Sequence, residues 1–261
     1  MSAAETVLLV ENGRGVVTVT LNRPDIHNAF DDALIARLTE AFEALAGRAD
    51  VRVVVLTGAG KSFSAGGDLG WMRRMAGYSE AENHADASRL AFLLHRLDTL
   101  PQPTIARVNG AALAGGFGLV SCCDVAIAAE GAVFGLSEVR LGLVPATISP
   151  YVIAAIGARA ARRYMLTGER FGAAEALRLG LVHRAVPTGE LDAAVAEIAA
   201  ALALGGPLAV AETKALVVGM GGLATEAVRA DTARLIARVR ASAEGKDGVS
   251  AFLEKRKPKW Q

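Results

Sequence analysis

Apolar and polar positions in the first 130 residues follow patterns that predict β-strands separated by helices. Residues 16–21 alternate strictly and stop at Asn22-Arg23-Pro24, which predicts a strand followed by a turn. Apolar residues spaced three and four apart predict an amphipathic helix over 33–46, with Asp31 or Asp32 near its start. Similar patterns predict strands over 51–57, 104–109 and 124–129, a loop over 61–67, and helices from 69 and over 115–121.

This rhythm of strand, strand and helix predicts a parallel α/β arrangement or a coil of such units. Beyond Gly157 the pattern becomes almost wholly helical, with breaks at glycines and prolines. Helices are predicted there over 158–166, 173–179, 191–204, 208–218 and 223–243. We expect the last helices to form an appendage that packs on neighbours rather than an independent domain.

The composition is that of a folded protein, because 52% of the 261 residues are apolar and 21% are charged. The 28 basic and 27 acidic residues give a net charge of +1, which disfavours a dedicated nucleic-acid binder. The sequence has no apolar run of about 18 residues, the length that a membrane span needs. Residues 1–6 show no secretory pattern, so we expect a cytoplasmic protein without a membrane partner.

Neither the cysteines nor the histidines predict a metal site. Cys122 and Cys123 are adjacent, which suits a disulfide poorly, and two thiols are too few for structural zinc without histidine help. The histidines show no spacing typical of metal ligands. We therefore expect two buried, reduced thiols and no metal.

Two glycine-rich stretches each follow a predicted strand and open a helix. In the first, Ala65, Gly66 and Gly67 let a ligand approach the backbone, and Asp68 is placed to cap the next helix. In the second, residues 109–119, the N–H groups near Gly115 lie at the positive end of a helix. The sequence lacks the glycine fingerprints of dinucleotide-binding, phosphate-loop and serine-hydrolase sites.

Glu138 is a lone carboxylate in an apolar, glycine-punctuated segment over 134–145. Such surroundings raise the pKa of a carboxyl group, which suits proton transfer near neutrality. The alternatives are an ion pair with Arg140 and an exposed glutamate without a catalytic role.

These three stretches, together with residues 21–30 and 251–258, resemble the crotonase superfamily of enoyl-CoA hydratases and isomerases over nearly the whole chain. The resemblance implies an α/β spiral of ββα units over 1–200 and a C-terminal helical region over 201–261 that assembles trimers, often paired into hexamers. It implies an acyl-CoA thioester as the substrate, with coenzyme A as part of that substrate and no permanently bound cofactor.

Residue by residue, the resemblance implies that the amides of Gly67 and Gly115 form an oxyanion hole and that Glu138 moves protons. Ala29 and Leu69 fall in loops that line the coenzyme A site in relatives. The other residues expected near the substrate are Ala65, Asp68, Arg73, Arg74 and Gly118.

The chain departs from the family's hydratases at Gly118, where they usually carry a second glutamate. Hydration by two carboxylates is therefore in doubt, whereas one-glutamate chemistry stays open. We expect Gly118 to leave room for a branched acyl group, and Gly118→Glu to alter substrate choice without unfolding the protein.

Residues 71–75 and 137–151 resemble the bacterial methylglutaconyl-CoA and isohexenylglutaconyl-CoA hydratase branch, whose substrates are branched and carry a second carboxylate. Arg73 or Arg74 could pair with that carboxylate, although both could equally lie on a solvated helix face. Adjacent helical residues point about 100° apart, so at most one should face the pocket.

The leading hypothesis is therefore an enoyl-CoA hydratase, and the alternative within the enzyme class is an enoyl-CoA isomerase. An RNA-binding homologue or a non-catalytic scaffold is the alternative from another class.

The tail carries Lys255, Arg256, Lys257 and Lys259, which we expect to hold coenzyme A phosphates, on a neighbouring subunit. Phe252, Pro258 and Trp260 are candidate anchors for that tail, and the alternative is a frayed, solvated end.

Overall fold

Two β-sheets, both mainly parallel, form the framework of the protein. The computed structural model describes residues 5–220, 234–236, 238–239 and 242–260. The strands are β1 Val7–Glu11, β2 Val16–Leu21, β3 Val53–Gly58, β4 Ser62–Ser64, β5 Thr104–Val108, β6 Ala111–Leu113, β7 Val125–Ala129, β8 Val133–Gly135, β9 Arg170–Gly172 and β10 Arg184–Val186.

Helices cover both sheets. They are α1 Asp32–Ala46, α2 Leu69–Met75, α3 Glu80–Asp98, α4 Gly115–Cys122, α5 Ser149–Thr167, α6 Ala173–Leu179, α7 Leu191–Ala203, α8 Pro207–Gly219 and α9 Ala243–Leu253. Short 3₁₀ helices span Pro24–Ile26, Glu138–Leu141 and Thr188–Glu190.

The larger sheet has the strand order β1-β2-β3-β5-β7-β10, and all its pairs except β1–β2 are parallel. Every residue of β3 is buried, which explains its continuous apolar sequence. Successive side chains of a strand point to opposite faces. Accordingly, Val54 and Leu56 join the main core with α1 and α3, whereas Val53 and Val55 join a second core with α7.

The smaller sheet has the order β4-β6-β8-β9, in which β4, β6 and β8 run parallel and β9 is antiparallel. Because parallel strands share their direction, the carboxyl ends of β4, β6 and β8 lie along one edge. That edge carries the three stretches in which the sequence predicts chemistry.

The α/β fold class is confirmed, as are the four long strands and most of the helices. The largely helical chain predicted after Gly157 is confirmed for the described residues, although β9 and β10, which were not predicted, add short edge strands to the two sheets. Residues 62–64 of the predicted loop form β4. Gly157 is a kink inside α5, with φ 75°. The predicted helix over 223–243 falls largely outside the described residues.

Within the described ranges, a single helix with the length and apolar content of a membrane span is not found. The sharply bent pair Thr188–Ala203 and Pro207–Gly219 reaches that content by length and composition alone.

Candidate active site

The three predicted stretches meet at the carboxyl edge of the smaller sheet. β4 leads into Ala65–Gly67, β6 into Ala114 and Gly115, and β8 into the segment that ends at Glu138. Direct pairing holds these strand ends together, since Leu113 of β6 pairs with Gly135 of β8 and the Ala114 amide donates to the Gly135 carbonyl at 2.9 Å. In α/β proteins such an edge is the usual location of ligand sites.

A parallel bridge between Gly67 and Phe30 sets the direction of the Gly67 amide, which points away from Phe30. The Phe30 amide donates to Gly66 and the Asp68 amide donates to Phe30, both at 2.7 Å. Residues on either side of Gly67 thus satisfy the bridge, and the Gly67 N–H faces the opposite side. Asp68 also caps α2 as predicted, with its carboxylate accepting from the Trp71 amide at 2.9 Å.

Gly115 is the first residue of α4, so its amide has no acceptor within the helix and lies at the positive helix end. A side chain is poorly tolerated here, because a Cβ on Gly115 would lie 3.2 Å from the Phe30 ring. A Cβ on Gly116 would overlap the carbonyl of Ser64. Close backbone packing therefore holds α4 against β4, and Phe30 contacts both glycine segments, with its backbone at Gly67 and its ring at Gly115.

Ala114 precedes the helix in a strained conformation, with φ 48° and ψ −116°. A non-glycine residue in this region costs about 1–3 kcal/mol and persists only where its surroundings fix it. Here its amide is bound to Gly135 and its carbonyl accepts from the Gly118 amide at 3.1 Å. The strain therefore lies directly beside a predicted catalytic amide.

Glu138 begins a 3₁₀ helix and is partly buried. Its Oε2 atom is buried and finds no hydrogen-bond partner in the part of the chain that the structure describes. Burial raises the pKa of the Glu138 carboxyl group above its ordinary value. The Arg140 guanidinium instead approaches the Thr167 carbonyl at 3.4 Å, so the alternative of a Glu138–Arg140 ion pair is not formed. This state suits a group that takes up and releases protons.

The space expected beside Gly118 is not open. A Cβ on Gly118 would lie 3.0 Å from the Cβ of Ile148, closer still to Cγ2 of Ile148, and 3.6 Å from Leu94. Ile148 is 2% exposed, so it has little freedom to move. The expectation that Gly118 leaves room for a branch was wrong, because it ignored a residue distant in the chain. The tolerance expected for Gly118→Glu loses its basis for the same reason.

The remaining predicted contact residues differ in how they are held. Ala29 is buried and its carbonyl accepts from Arg23, whereas Leu69 is exposed at the start of α2. Ala65 is partly buried, and its amide donates to the His27 carbonyl at 3.0 Å.

The two arginines of α2 are both exposed but differ in whether they form an ion pair. Arg74 pairs with Asp32 at 2.6 Å. Arg73 makes no ion pair with any described residue, which leaves it as the candidate for a ligand carboxylate.

Sequence reasoning missed Asn28, a fully buried residue with φ 55°. Its Nδ2 donates to the carbonyls of Ala59 and Ser62, and its Oδ1 accepts from the Arg23 amide, all within 2.9 Å. Its own carbonyl accepts from the Ser64 hydroxyl at 2.9 Å. Asn28 thereby fixes the loop before Phe30 to the end of β4. An isolated polar residue in an Asn-Ala-Phe sequence gave no periodic signal.

The C-terminal tail is held near the amino end of β3. The Trp260 indole donates to the Leu204 carbonyl at 3.0 Å, and Arg52, just before β3, donates to the Trp260 carbonyl at 3.3 Å. Trp260 is therefore an anchor, as expected, whereas the Phe252 side chain lies outside the described part. Arg256 pairs with Asp247 at 2.9 Å and with Glu254 at 2.7 Å. The tail lysines, Lys255, Lys257 and Lys259, are exposed and form no salt bridge within the described residues.

The two cysteines are free thiols, with Cys122 buried and Cys123 partly buried. Burial raises the pKa of Cys123 to about 12, which leaves its thiol protonated and unreactive near neutrality. Among the described residues, groups of three or more His, Cys, Asp or Glu side chains that could hold a metal do not occur.

Known proteins resemble this chain over nearly its whole length. The sequence model of the enoyl-CoA hydratase/isomerase family matches residues 11–261. The crystal structure of an enoyl-CoA hydratase from Shewanella pealeana is 45% identical, with a TM-score of 0.95 over 98% of this chain and 96% of that one. AtuE from Pseudomonas aeruginosa is 40% identical, with a TM-score of 0.94 over 98% and 99%. The 2,3-dehydroadipyl-CoA hydratase of Escherichia coli K12 is 34% identical over 96% of this chain and 97% of its own length.

Proposed function

This chain belongs to the enoyl-CoA hydratase/isomerase family, and from that premise we propose that it adds water to a 2-enoyl-CoA. Glu138 is the acid and base, and the amides of Gly67 and Gly115 hold the thioester oxygen. The observation that carries the proposal is the buried Oε2 of Glu138, which has no hydrogen-bond partner among the described residues. Glu138 follows β8, which pairs with β6, and β6 in turn pairs with β4, so the two glycines and Glu138 follow neighbouring strands. The names of the hydratases to which the chain is similar support the same reaction.

One carboxylate suffices for a balanced reaction. Glu138 takes a proton from water while the water oxygen bonds to C3, and the C2=C3 electrons move towards the thioester oxygen. The resulting enolate accepts hydrogen bonds from the two amides, each worth on the order of 10²–10³ in rate. Glu138 then returns the proton to C2, which completes the addition of water and regenerates the carboxylate.

The second candidate is isomerisation of a 3-enoyl-CoA, and the apolar contact of Gly118 with Ile148 favours it. Glu138 would remove a proton from C2, and the amides would hold the dienolate. Return of the proton to C4 moves the double bond to C2=C3 without change of mass. Because this reaction needs no bound water, a single carboxylate in apolar surroundings serves it well.

For the acyl group, we propose a branched substrate with a second carboxylate, such as 3-methylglutaconyl-CoA. Arg73 supports this choice, because it is exposed on α2, six residues after Gly67 in the chain, and forms no ion pair within the described residues. The name of the 2,3-dehydroadipyl-CoA hydratase is also compatible with an acyl chain bearing a carboxylate. Any space for the branch would have to lie elsewhere than beside Gly118.

We further propose that the protein acts as a cytoplasmic homotrimer or hexamer through the region 201–261. Support comes from α8, which has no buried residue although Val217 and Val218 are apolar and exposed. The tail is anchored near the amino end of β3, whereas Gly58 at its carboxyl end contacts the Asn28 loop. A six-residue strand spans about 20 Å, so the tail lysines would reach the site of a neighbouring subunit more readily than their own.

The proposals from another class have weaker support. The balanced charge disfavours an RNA-binding role. A scaffold without activity would need neither a desolvated carboxylate without a described partner nor a strained helix start, since both features lower stability.

A panel of crotonyl-CoA, a 3-enoyl-CoA and 3-methylglutaconyl-CoA tests the function. The reaction is followed by the absorbance of the conjugated thioester and by product mass. Gain of one water by a conjugated substrate identifies a hydratase, and conversion of the 3-enoyl to the 2-enoyl thioester at constant mass identifies an isomerase. Absence of turnover on all three would contradict the proposal.

A further inference from the structure

Ile148 fills the space into which any side chain at position 118 would project. A Cβ placed on Gly118 would lie 3.0 Å from the Cβ of Ile148 and closer still to Cγ2, a separation that real Cβ atoms essentially never show. Leu94 closes the same space from α3, at 3.6 Å. The contact is therefore a complementary pair in which glycine on one side matches a β-branched residue on the other.

Neither partner of this pair is free to move aside. Cβ and Cγ2 of Ile148 are attached close to the backbone, and the χ1 angle of a β-branched side chain is stiff. The Ile148 carbonyl also accepts from the Val152 amide at 3.1 Å, at the start of α5. On the other side, the Gly118 amide is bound to Ala114 within the first turn of α4. Substitution at 118 must therefore displace backbone.

The pair joins the two parts of the proposed active site. Gly118 lies one turn along the helix from Gly115, and helical residues three apart have neighbouring side-chain positions about 5–6 Å apart. Ile148 lies ten residues after Glu138, at the end of the segment that leads from the Glu138 3₁₀ helix into α5. The pair therefore packs the helix that begins with the Gly115 amide against the segment that follows Glu138.

We propose that Ile148 is a specificity-determining residue, because it keeps position 118 empty and so limits the site to the single carboxylate of Glu138. This inference rests on the proposed function. With an apolar wall beside the helix, the water that adds to C3 is activated from the Glu138 side alone.

The contact itself is tested by thermal unfolding of Gly118→Ala, Ile148→Ala and the double variant. Gly118→Ala should lower Tm by roughly 3–10 °C, since overpacking a core is destabilising. The double variant should lose clearly less than the sum of the two single losses, because Ile148→Ala removes the colliding methyl group. Gly131→Ala is the matched control, since a Cβ there meets nothing within 4 Å and Tm should stay unchanged. An unchanged Tm in Gly118→Ala, or strict additivity, would overturn the proposal.

Specificity is tested by comparing Ile148→Gly with the double variant Ile148→Gly/Gly118→Glu. The ratio of crotonyl-CoA hydration to 3-enoyl-CoA isomerisation should rise at least about tenfold in the double variant, as a second acid–base group contributes about 10²–10⁴ in favourable cases. An unchanged ratio in a folded double variant would refute the role of Ile148. If that protein does not fold, Ile148→Ala/Gly118→Asp carries the same test with a shorter side chain. Absence of any acyl-CoA turnover in the wild type would instead contradict the proposed function, whereas the unfolding results would still decide whether the pair is coupled.

Discussion

Replacing Glu138 by glutamine should change activity and stability in opposite directions. The variant keeps the shape of the side chain but can neither accept nor release the proton. Loss of general acid–base catalysis should lower kcat by about 10²–10⁴-fold, or roughly 3–5 kcal/mol in the activation free energy. Binding of a non-reacting acyl-CoA should be nearly unchanged, because the two amides and the coenzyme A contacts remain.

The stability of Glu138→Gln follows from the raised pKa of the wild-type carboxyl group. The folded protein holds this proton to higher pH than the unfolded chain, so the wild type loses stability as pH rises from about 4.5 through the folded-state pKa. Glutamine carries no charge and escapes that loss. At pH 7 the variant should therefore be more stable by on the order of 1 kcal/mol, a modest value because the partly exposed carboxylate keeps some hydration.

Paired measurements check this reasoning. Thermal unfolding of both proteins between pH 4 and pH 8 should give a Tm difference near zero at the acid end and a gain of about 2–4 °C for the variant at pH 7. The wild-type kcat/KM should fall on the acid side as Glu138 becomes protonated, and this limb should vanish from any residual activity of the variant. Turnover near that of the wild type would refute the catalytic role, and a lower Tm at pH 7 would refute the desolvated state.

Three further substitutions test other parts of the site. Ala114→Gly should raise Tm by a few degrees by relieving strain of about 1–3 kcal/mol, and an unchanged or lower Tm would show that Ala114 is not strained. Asn28→Gly keeps access to positive φ but removes three side-chain hydrogen bonds, so it should lose at least about 2 kcal/mol of unfolding free energy and reduce kcat; wild-type values in both would exclude a positioning role. Alanine at all three tail lysines, with Trp260 retained, should raise KM for acyl-CoA most strongly at low salt, and less for a ligand without the 3′-phosphate. Equal KM values for both ligands in an intact oligomer would leave those lysines without a role in binding.

The sequence was sufficient to predict the four long strands of the larger sheet, because their apolar runs are continuous or strictly alternating. The strands that carry the site, β4, β6 and β8, were not predicted, because each has only three residues. The raised pKa of Glu138 was predictable as well, since the segment around it is apolar, whereas its catalytic role stays a prediction. The Gly118–Ile148 contact was not, because it joins residues far apart in the chain and a glycine gives no sign of what fills its space. Asn28 was missed for a related reason: its partners are backbone carbonyls, which leave no trace in side-chain patterns. β9 and β10 are too short to show a period of two.

Features that lower stability concentrate where the proposed chemistry occurs, and the surrounding backbone explains how they persist. Ala114 cannot relax its φ of 48° without giving up its bonds to Gly135 and Gly118. Asn28 holds its φ of 55° through hydrogen bonds on both its side chain and its carbonyl. Glu138 is different, because no described partner satisfies its buried oxygen. Substitutions that break the hydrogen bonds around Ala114 or Asn28 should therefore lower the stability of the fold and also disturb the positions of the site residues. Replacement of Glu138, by contrast, should abolish activity while removing the free-energy cost of a desolvated carboxylate. That contrast is what separates a residue kept for proton transfer from residues kept to position it.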